Sequence, residues 1–102
     1  MSTLHTVNKS PFGDGALKSC LEHCKPGDGV LLIEDGVYGA LSGSTIAADV
    51  TARSADVAFY RLDGDSKARG LPADKLLGDV KAVGYDGFVD LVAEFDCTQS
   101  WL

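Results

Sequence analysis

Residues 30–38 constrain the fold of this chain more than any other segment. They read Val-Leu-Leu-Ile-Glu-Asp-Gly-Val-Tyr, so four apolar residues are followed directly by two carboxylates and a glycine. A short apolar run bounded by turn residues is typical of a strand buried on both faces of a parallel sheet. The Glu34-Asp35-Gly36 turn is then expected at the carboxyl end of that strand, where open α/β sheets usually place their sites.

Strand and helix patterns alternate along the rest of the chain. Strands are predicted at residues 4–7, 29–33, 56–61 and 80–83, with 98–102 as an edge strand or a packed tail. Helices are predicted at 12–24, 37–51, 72–77 and from Asp86 onward, with a polar loop at 63–70. This order predicts a single α/β domain over residues 1–102. Its mostly parallel sheet of about four to five strands is flanked by helices on both faces, in a flavodoxin-like layering.

Composition excludes several classes of function. The chain has 102 residues and a net charge of −6, which argues against direct nucleic-acid binding. No apolar run approaches the roughly 20 residues that span a bilayer, and no basic segment followed by an apolar one opens the chain. We therefore expect a cytoplasmic protein without membrane contact. Because 45% of the residues are hydrophobic, either the core is efficient or part of the surface meets a partner.

Cysteine usage predicts free thiols. The odd count of three, Cys20, Cys24 and Cys97, does not read as a disulfide framework. Zinc is not expected, because the chain has no Cys-x-x-Cys pair and because His5 and His23 have no ligand-type spacing to one another. No phosphate-binding loop pattern occurs either, and we expect no metal or organic cofactor.

Four blocks of sequence resemble one known family from end to end of the chain. They are His-Thr-Val-Asn-Lys-Ser-Pro at 5–11, Leu-Leu-Ile-Glu-Asp-Gly-Val-Tyr at 31–38, Tyr-Asp-Gly-Phe-Val-Asp-Leu at 85–91 and Gln-Ser-Trp-Leu at 99–102. Together they are similar to the DsrH/TusB family. The resemblance implies the DsrEFH-like α/β fold and a subunit of a heterohexameric sulfur-relay complex, built as a dimer of heterotrimers.

The same resemblance implies partners and a pathway. The partners are DsrE/TusD-like and DsrF/TusC-like paralogues, and a DsrC/TusE-like carrier that receives sulfur as a cysteine persulfide. Cys20 lies where sulfur-oxidising members carry a cysteine in the first helix, which favours dissimilatory sulfur oxidation. The alternatives are a TusB-like subunit in tRNA 2-thiouridine synthesis, or a non-catalytic assembly and docking subunit.

Cys20 is the candidate catalytic residue, with two interpretations left open. As a persulfide-forming nucleophile it must be reachable and deprotonated. As a structural thiol it belongs to the apolar stripe of Ala16, Leu17 and Leu21 and is buried. Cys24, four residues on, is expected to pack at the helix end.

The other chemically capable side chains favour structural roles. Glu34 and Asp35 are predicted to shape a turn rather than to form an acid/base pair, and His5 to be a satisfied core or interface histidine. Cys97 is interpreted as incidental. Rings with a polar tip suit subunit contacts, and three are candidates: Tyr38, Tyr85 and Trp101.

Overall fold

A parallel five-stranded sheet organises the chain. The structure is a computed structural model that describes residues 2–101. Its strands are β1 (Thr3–Val7), β2 (Gly29–Leu32), β3 (Ala58–Leu62), β4 (Val80–Val83) and β5 (Cys97–Trp101). They lie in the order β4-β3-β2-β1-β5, and every neighbouring pair is parallel. The predicted fold class, a parallel α/β sheet between helices, is confirmed.

Strand β2 lies at the centre of the sheet, as its apolar run predicts. It pairs with β1 on one side and with β3 on the other, and all four of its residues are buried. Val30 and Leu32 face one core while Leu31 faces the other. Burial on both faces therefore accounts for a strand that lacks polar alternation.

Helices cover the two faces unequally. One face carries α1 (Ala16–His23) and α2 (Ala47–Arg53) and buries the larger core, which includes Val7, Leu17 and Phe59. The other carries α4 (Tyr85–Glu94), whose Leu91 packs with Leu4 and Leu31. Strands β1 to β4 follow one another across the sheet in one direction. After β4 the chain crosses back through α4 and adds β5 on the other side of β1.

The predicted helix at 37–51 is wrong and is replaced by two shorter elements. A 3₁₀ helix spans Glu34–Ala40, and α2 begins only at Ala47. Glu34 has a φ of 49°, in the left-handed region. Close packing of the 3₁₀ helix on β1 restricts Gly36, where an added Cβ would lie 2.0 Å from the carbonyl oxygen of Val7. The Ser-Gly-Ser turn at 42–44 then separates the two elements.

The predicted loop at 63–70 is also wrong, because Asp63–Ala68 forms α3. The charges there form pairs: Asp63 lies 3.2 Å from Arg61 and 3.1 Å from Lys67. Asp63 and Asp65 occupy the first turn, where the helix dipole favours carboxylates. Composition suggested a solvated loop, whereas the order of the charges suits a helix.

The two ends of the last third differ from prediction in detail. Gly84, not Asp86, is the N-cap residue of α4. Strand β5 pairs with β1 from Thr3↔Cys97 to Val7↔Trp101, so the predicted edge strand is confirmed for residues 98–101, while Leu102 lies outside the described residues. Within residues 2–101, none of the helices combines the length and the hydropathy that crossing a bilayer requires.

Candidate functional site: the buried thiols of the first helix

Cys20 and Cys24 lie together on the face of α1 that packs in the larger core, with Cys24 as the C-cap residue of the helix. The side chains of Ala16, Leu17, Cys20 and Leu21 recur at helical spacing, so α1 turns one apolar face toward the sheet. Cys20 is 0% exposed and Cys24 is 7% exposed. Their Sγ atoms are 3.9 Å apart, and both thiols are free. In the folded chain the candidate nucleophile is therefore enclosed, and Cys24 is the more exposed of the two residues.

The environment favours the protonated form of Cys20. Its contact with Cys24 and its burial raise the pKa of the Cys20 thiol, and the Asp28 carboxylate adds to that effect. The hydrogen bond from Cys20 lowers the pKa of Cys24, although burial opposes the change. If either thiol ionises, the Cys24 thiolate is therefore favoured, with Cys20 as its donor.

His5 links this region to the edge of the sheet. Its ring is 3% exposed, and both ring nitrogens are engaged. Trp101 Nε1 donates to His5 Nδ1 at 3.0 Å. Because an indole nitrogen can only donate, Nδ1 must accept, so Nε2 carries the proton and donates to Asp28 Oδ2 at 3.0 Å. The prediction of a satisfied core histidine is confirmed.

Asp28 is the structural residue that the sequence analysis missed. It is 4% exposed and lies in the turn before β2, where the Lys-Pro-Gly-Asp-Gly sequence of residues 25–29 predicts the end of the first helix but no buried carboxylate. Its carboxylate accepts from the backbone N–H groups of Thr3 and Lys25, each at 3.0 Å, and from His5. Burial raises its pKa, but these three hydrogen bonds outweigh burial and hold the pKa of Asp28 below its usual range.

Arg53 closes the same end of α1 from the neighbouring helix. Its Nη1 donates to the carbonyl oxygen of Leu21, and its Nη2 donates to that of Cys24 at 2.9 Å. Carbonyls at a helix carboxyl end have no partner within the helix, so a cation there satisfies them and complements the dipole. The positive charge of Arg53 partly opposes the rise in the pKa of Cys20 and contributes to the lowered pKa of Cys24.

Three potential ligand residues converge at this point. Within the described residues, one ligand atom each of His5, Cys20 and Cys24 lies within 4.8 Å of the others, and all three side chains are buried. The sequence did not predict a metal-ligand cluster, because ligand spacing along the chain detects only residues that are close in sequence. Only the packing of α1 on β1 brings a histidine of the first strand to a Cys-x-x-x-Cys pair at a helix end.

The carboxyl edge of the sheet holds the turn that the sequence singled out. Asp35 lies 2.9 Å from the Arg69 guanidinium, and this hydrogen bond raises the pKa of Arg69. The backbone N–H of Glu34 donates to Asp65 Oδ2 at 2.7 Å. Glu34 and Asp35 thus each engage α3 or the residue that follows it, as expected of a turn and not of an acid/base pair.

Helix α4 exposes apolar side chains on its outer surface. Tyr85 is 70% exposed, Val89 is 66% exposed and Val92 is 43% exposed. Their i, i+4, i+7 spacing places them on one stripe, which we call the α4 stripe. The apolar spacing of this helix predicts that Val89 and Val92 are buried together with Leu91. In the structure Leu91 alone of these is buried, with Phe88 and Phe95 half-buried.

The remaining candidates have separate locations. Cys97 is exposed at the start of β5, and its Sγ lies 3.1 Å from Thr3 Oγ1. Tyr38 is half-buried, with its ring centroid 6.3 Å from that of Phe12. Trp101 is half-buried, and its ring lies 5.4 Å from that of His23, so it has a packing role within the chain.

Comparison with known proteins identifies the family. A family model described as DsrH like protein matches residues 9–98. The chain belongs to the DsrH-like family. Relatives of this DsrH-like chain include a protein named TusB from Pectobacterium atrosepticum, 34% identical over 100 residues that cover 96% of this chain and 99% of the relative. A protein named TusB from Shigella flexneri is 32% identical over 98 residues, with the same coverage of both chains.

Solved structures share the fold of the DsrH-like chain. The ychN protein of E. coli superposes with a TM-score of 0.81 over 98% of this chain and 99% of its own, at 16% identity. A protein of unknown function from Methanobacterium thermoautotrophicum gives a TM-score of 0.73 over 96% of this chain and 97% of its own, at 18% identity. At such identities the likeness concerns the fold alone.

Proposed function

We propose that this chain is an assembly and docking subunit of a cytoplasmic sulfur-relay complex. Its membership of the DsrH-like family supports this role, together with the end-to-end resemblance described above. The partners would be DsrE/TusD-like and DsrF/TusC-like paralogues in a dimer of heterotrimers, with a DsrC/TusE-like carrier as the recipient of sulfur.

The α4 stripe is the observation that carries the assembly role. Three large apolar or aromatic side chains on one helix face are exposed in a chain that has a net charge of −6. Scattered apolar side chains are normal on a protein surface, whereas a contiguous apolar stripe marks an interaction site. Burial of Val89 and Val92 against a paralogue would remove from water apolar surface that the fold itself leaves exposed.

The names of the relatives favour one branch of sulfur chemistry. Relatives that match 96% of this chain are named TusB, which supports a place in tRNA 2-thiouridine synthesis. The expectation of dissimilatory sulfur oxidation rested on the presence of Cys20, and that residue is fully buried. We therefore propose the TusB-like role as the primary one.

Persulfide transfer through Cys20 is the second candidate function. Cys24 favours it, since its sulfur lies 3.9 Å from that of Cys20 and the residue is the more exposed of the two. In this reaction the Cys20 thiolate attacks the terminal sulfur of a donor persulfide, and the donor leaves as a thiolate. Because Cys20 is enclosed, the carboxyl end of α1 must open before a donor can reach it.

Co-purification with the two paralogues tests the assembly role. We expect wild-type protein to elute with both paralogues in size-exclusion chromatography with light scattering. Val89→Asp and Val92→Asp should each fold normally and lose that complex. Ala52→Asp on α2, also at an exposed position, is the matched control and should retain it. A wild-type chain that elutes as a monomer in the presence of both paralogues contradicts the proposal.

Two further measurements separate the candidate chemistries. Mass spectrometry of the assembled complex after exposure to a persulfide donor should show one added sulfur on wild type and none on Cys20→Ser if Cys20 transfers sulfur. If the chain is an assembly subunit only, Cys20 stays unmodified. The 2-thiouridine content of tRNA in cells that lack this chain tests the TusB-like branch, and an unchanged content contradicts it.

A further inference from the structure

We propose that His5, Cys20 and Cys24 form a binding site for one thiophilic divalent cation, for which zinc is the best fit. This site does not depend on the assembly role, although it shares Cys20 with the second candidate function, and it uses residues from two elements, β1 and the end of α1. Their ligand atoms already lie within 4.8 Å of one another, and all three side chains are buried. Three observations support the site: the spacing of the sulfurs, the hydrogen bonds of His5 and the balance of charge.

The two sulfurs have the separation that a tetrahedral metal requires. Cys20 Sγ and Cys24 Sγ are 3.9 Å apart. Two thiolates bound to Zn²⁺ at about 2.3 Å each, with a tetrahedral angle between them, lie about 3.8 Å apart. The pair therefore needs little rearrangement to hold the metal.

One hydrogen bond of His5 is of the kind that supports a metal-binding histidine. His5 Nε2 donates to the buried Asp28 carboxylate, which is the outer partner that such histidines commonly have. That bond leaves the lone pair on Nδ1, where Trp101 Nε1 now donates. A cation would replace the indole N–H as the partner of Nδ1, so binding must alter the environment of Trp101, the single tryptophan of the chain.

The surrounding charges balance when a dication is bound. Two thiolates and Asp28 supply three negative charges, and Arg53, which contacts the carbonyls of Leu21 and Cys24, supplies one positive charge. A divalent ion completes the balance in a buried region, where uncompensated charge is costly. Sulfur and imidazole donors together select zinc over magnesium or calcium. Cys24, at 7%, is the most exposed of the three ligand residues.

Cobalt and zinc binding to the reduced full-length chain test the site. With a thiol reductant that does not bind metal, one equivalent of Co²⁺ should give thiolate-to-metal charge transfer in the near ultraviolet and intense visible bands of a tetrahedral ion. Zn²⁺ should abolish both signals and shift Trp101 fluorescence. Absence of a saturable one-to-one signal overturns the proposal.

Variants locate the ligands. Cys20→Ser and Cys24→Ser should each weaken the charge-transfer band and the affinity for zinc, and His5→Gln should weaken zinc binding at least about tenfold. Cys97→Ser, at the exposed third cysteine, is the matched control and should bind as wild type does. A signal that survives Cys20→Ser and Cys24→Ser together but is lost in Cys97→Ser overturns the proposed site.

A measurement on wild-type protein covers the case in which a variant fails to fold. In mild urea, where buried thiols become transiently accessible, zinc should slow the alkylation of Cys20 and Cys24 at least about tenfold and leave that of Cys97 unchanged. Equal protection of all three cysteines, or of none, contradicts a site at the end of α1.

Discussion

Asp28 Oδ2 accepts a hydrogen bond from His5 Nε2 at 3.0 Å and so joins the turn before β2 to the middle of β1. The same carboxylate holds the first backbone N–H of β1 through Thr3. One buried side chain thereby fixes the start of two neighbouring strands and the tautomer of the histidine beside the two cysteines.

Replacement of this carboxylate should destabilise the chain strongly. Asp28→Asn removes the charge and sets an amide N–H₂ against at least one donor, so we expect a loss of about 2–3 kcal/mol in the free energy of unfolding. Urea denaturation followed by circular dichroism measures it. Asp90→Asn, an exposed position on α4, is the control and should change stability by less than about 0.5 kcal/mol. Equal effects of the two substitutions would contradict the structural role of Asp28.

The pH dependence of stability should show the contribution of the ionised Asp28 carboxylate. Hydrogen bonds hold the pKa of Asp28 below its usual range in the folded chain, so its ionised form stabilises the fold. That contribution is complete above the unfolded pKa of about 3.9 and is lost as the pH falls toward the lower, folded pKa. The midpoint temperature of thermal unfolding should therefore fall more steeply between about pH 6 and pH 2 for wild type than for Asp28→Asn. Parallel curves would contradict the assignment.

The contact of Gly36 with β1 predicts a sharp steric effect. A Cβ at Gly36 would lie 2.0 Å from the Val7 carbonyl oxygen, which already accepts from the backbone N–H of Ile33. The 3₁₀ helix must move as a whole to relieve this, so Gly36→Ala should cost at least about 2 kcal/mol. Gly43→Ala, whose Cβ meets no described atom within 4 Å, is the control. A Gly36→Ala variant as stable as that control would show that the 3₁₀ helix lies farther from β1.

The hydrogen bond from Trp101 should be visible on the His5 ring. Nitrogen NMR of the metal-free chain is expected to show a proton on Nε2 and none on Nδ1, because Nδ1 accepts the indole N–H. Trp101→Phe keeps the ring packing but removes the donor, and should lower the free energy of unfolding by about 1 kcal/mol. Observation of the Nδ1–H tautomer in wild type would contradict this arrangement.

Local sequence determined the strands better than the segments between them. The apolar run ending at Ile33 was enough to predict a central buried strand, because burial on both faces leaves no polar alternation. The helix predicted at 37–51 failed because the packing of Gly36 against the backbone of Val7 is a contact between distant segments. The prediction that Val89 and Val92 are buried failed for a related reason. Apolar residues on one helix face predict that the face is covered, but they do not say whether the same chain or a partner covers it.

The sequence by itself also settled the order of the first four strands and the family, since these follow from hydrophobic periodicity and from blocks of residues that are local in sequence. Only the tertiary structure decided that His5, Asp28, Cys20 and Cys24 lie together, and that Cys20 is enclosed. The physical reason is that parallel pairing of β1 with β2 and packing of α1 across them bring His5 to residues that lie 15 to 23 positions later in the chain. A hydrogen bond or a ligand set of this kind leaves no periodic signature in the sequence.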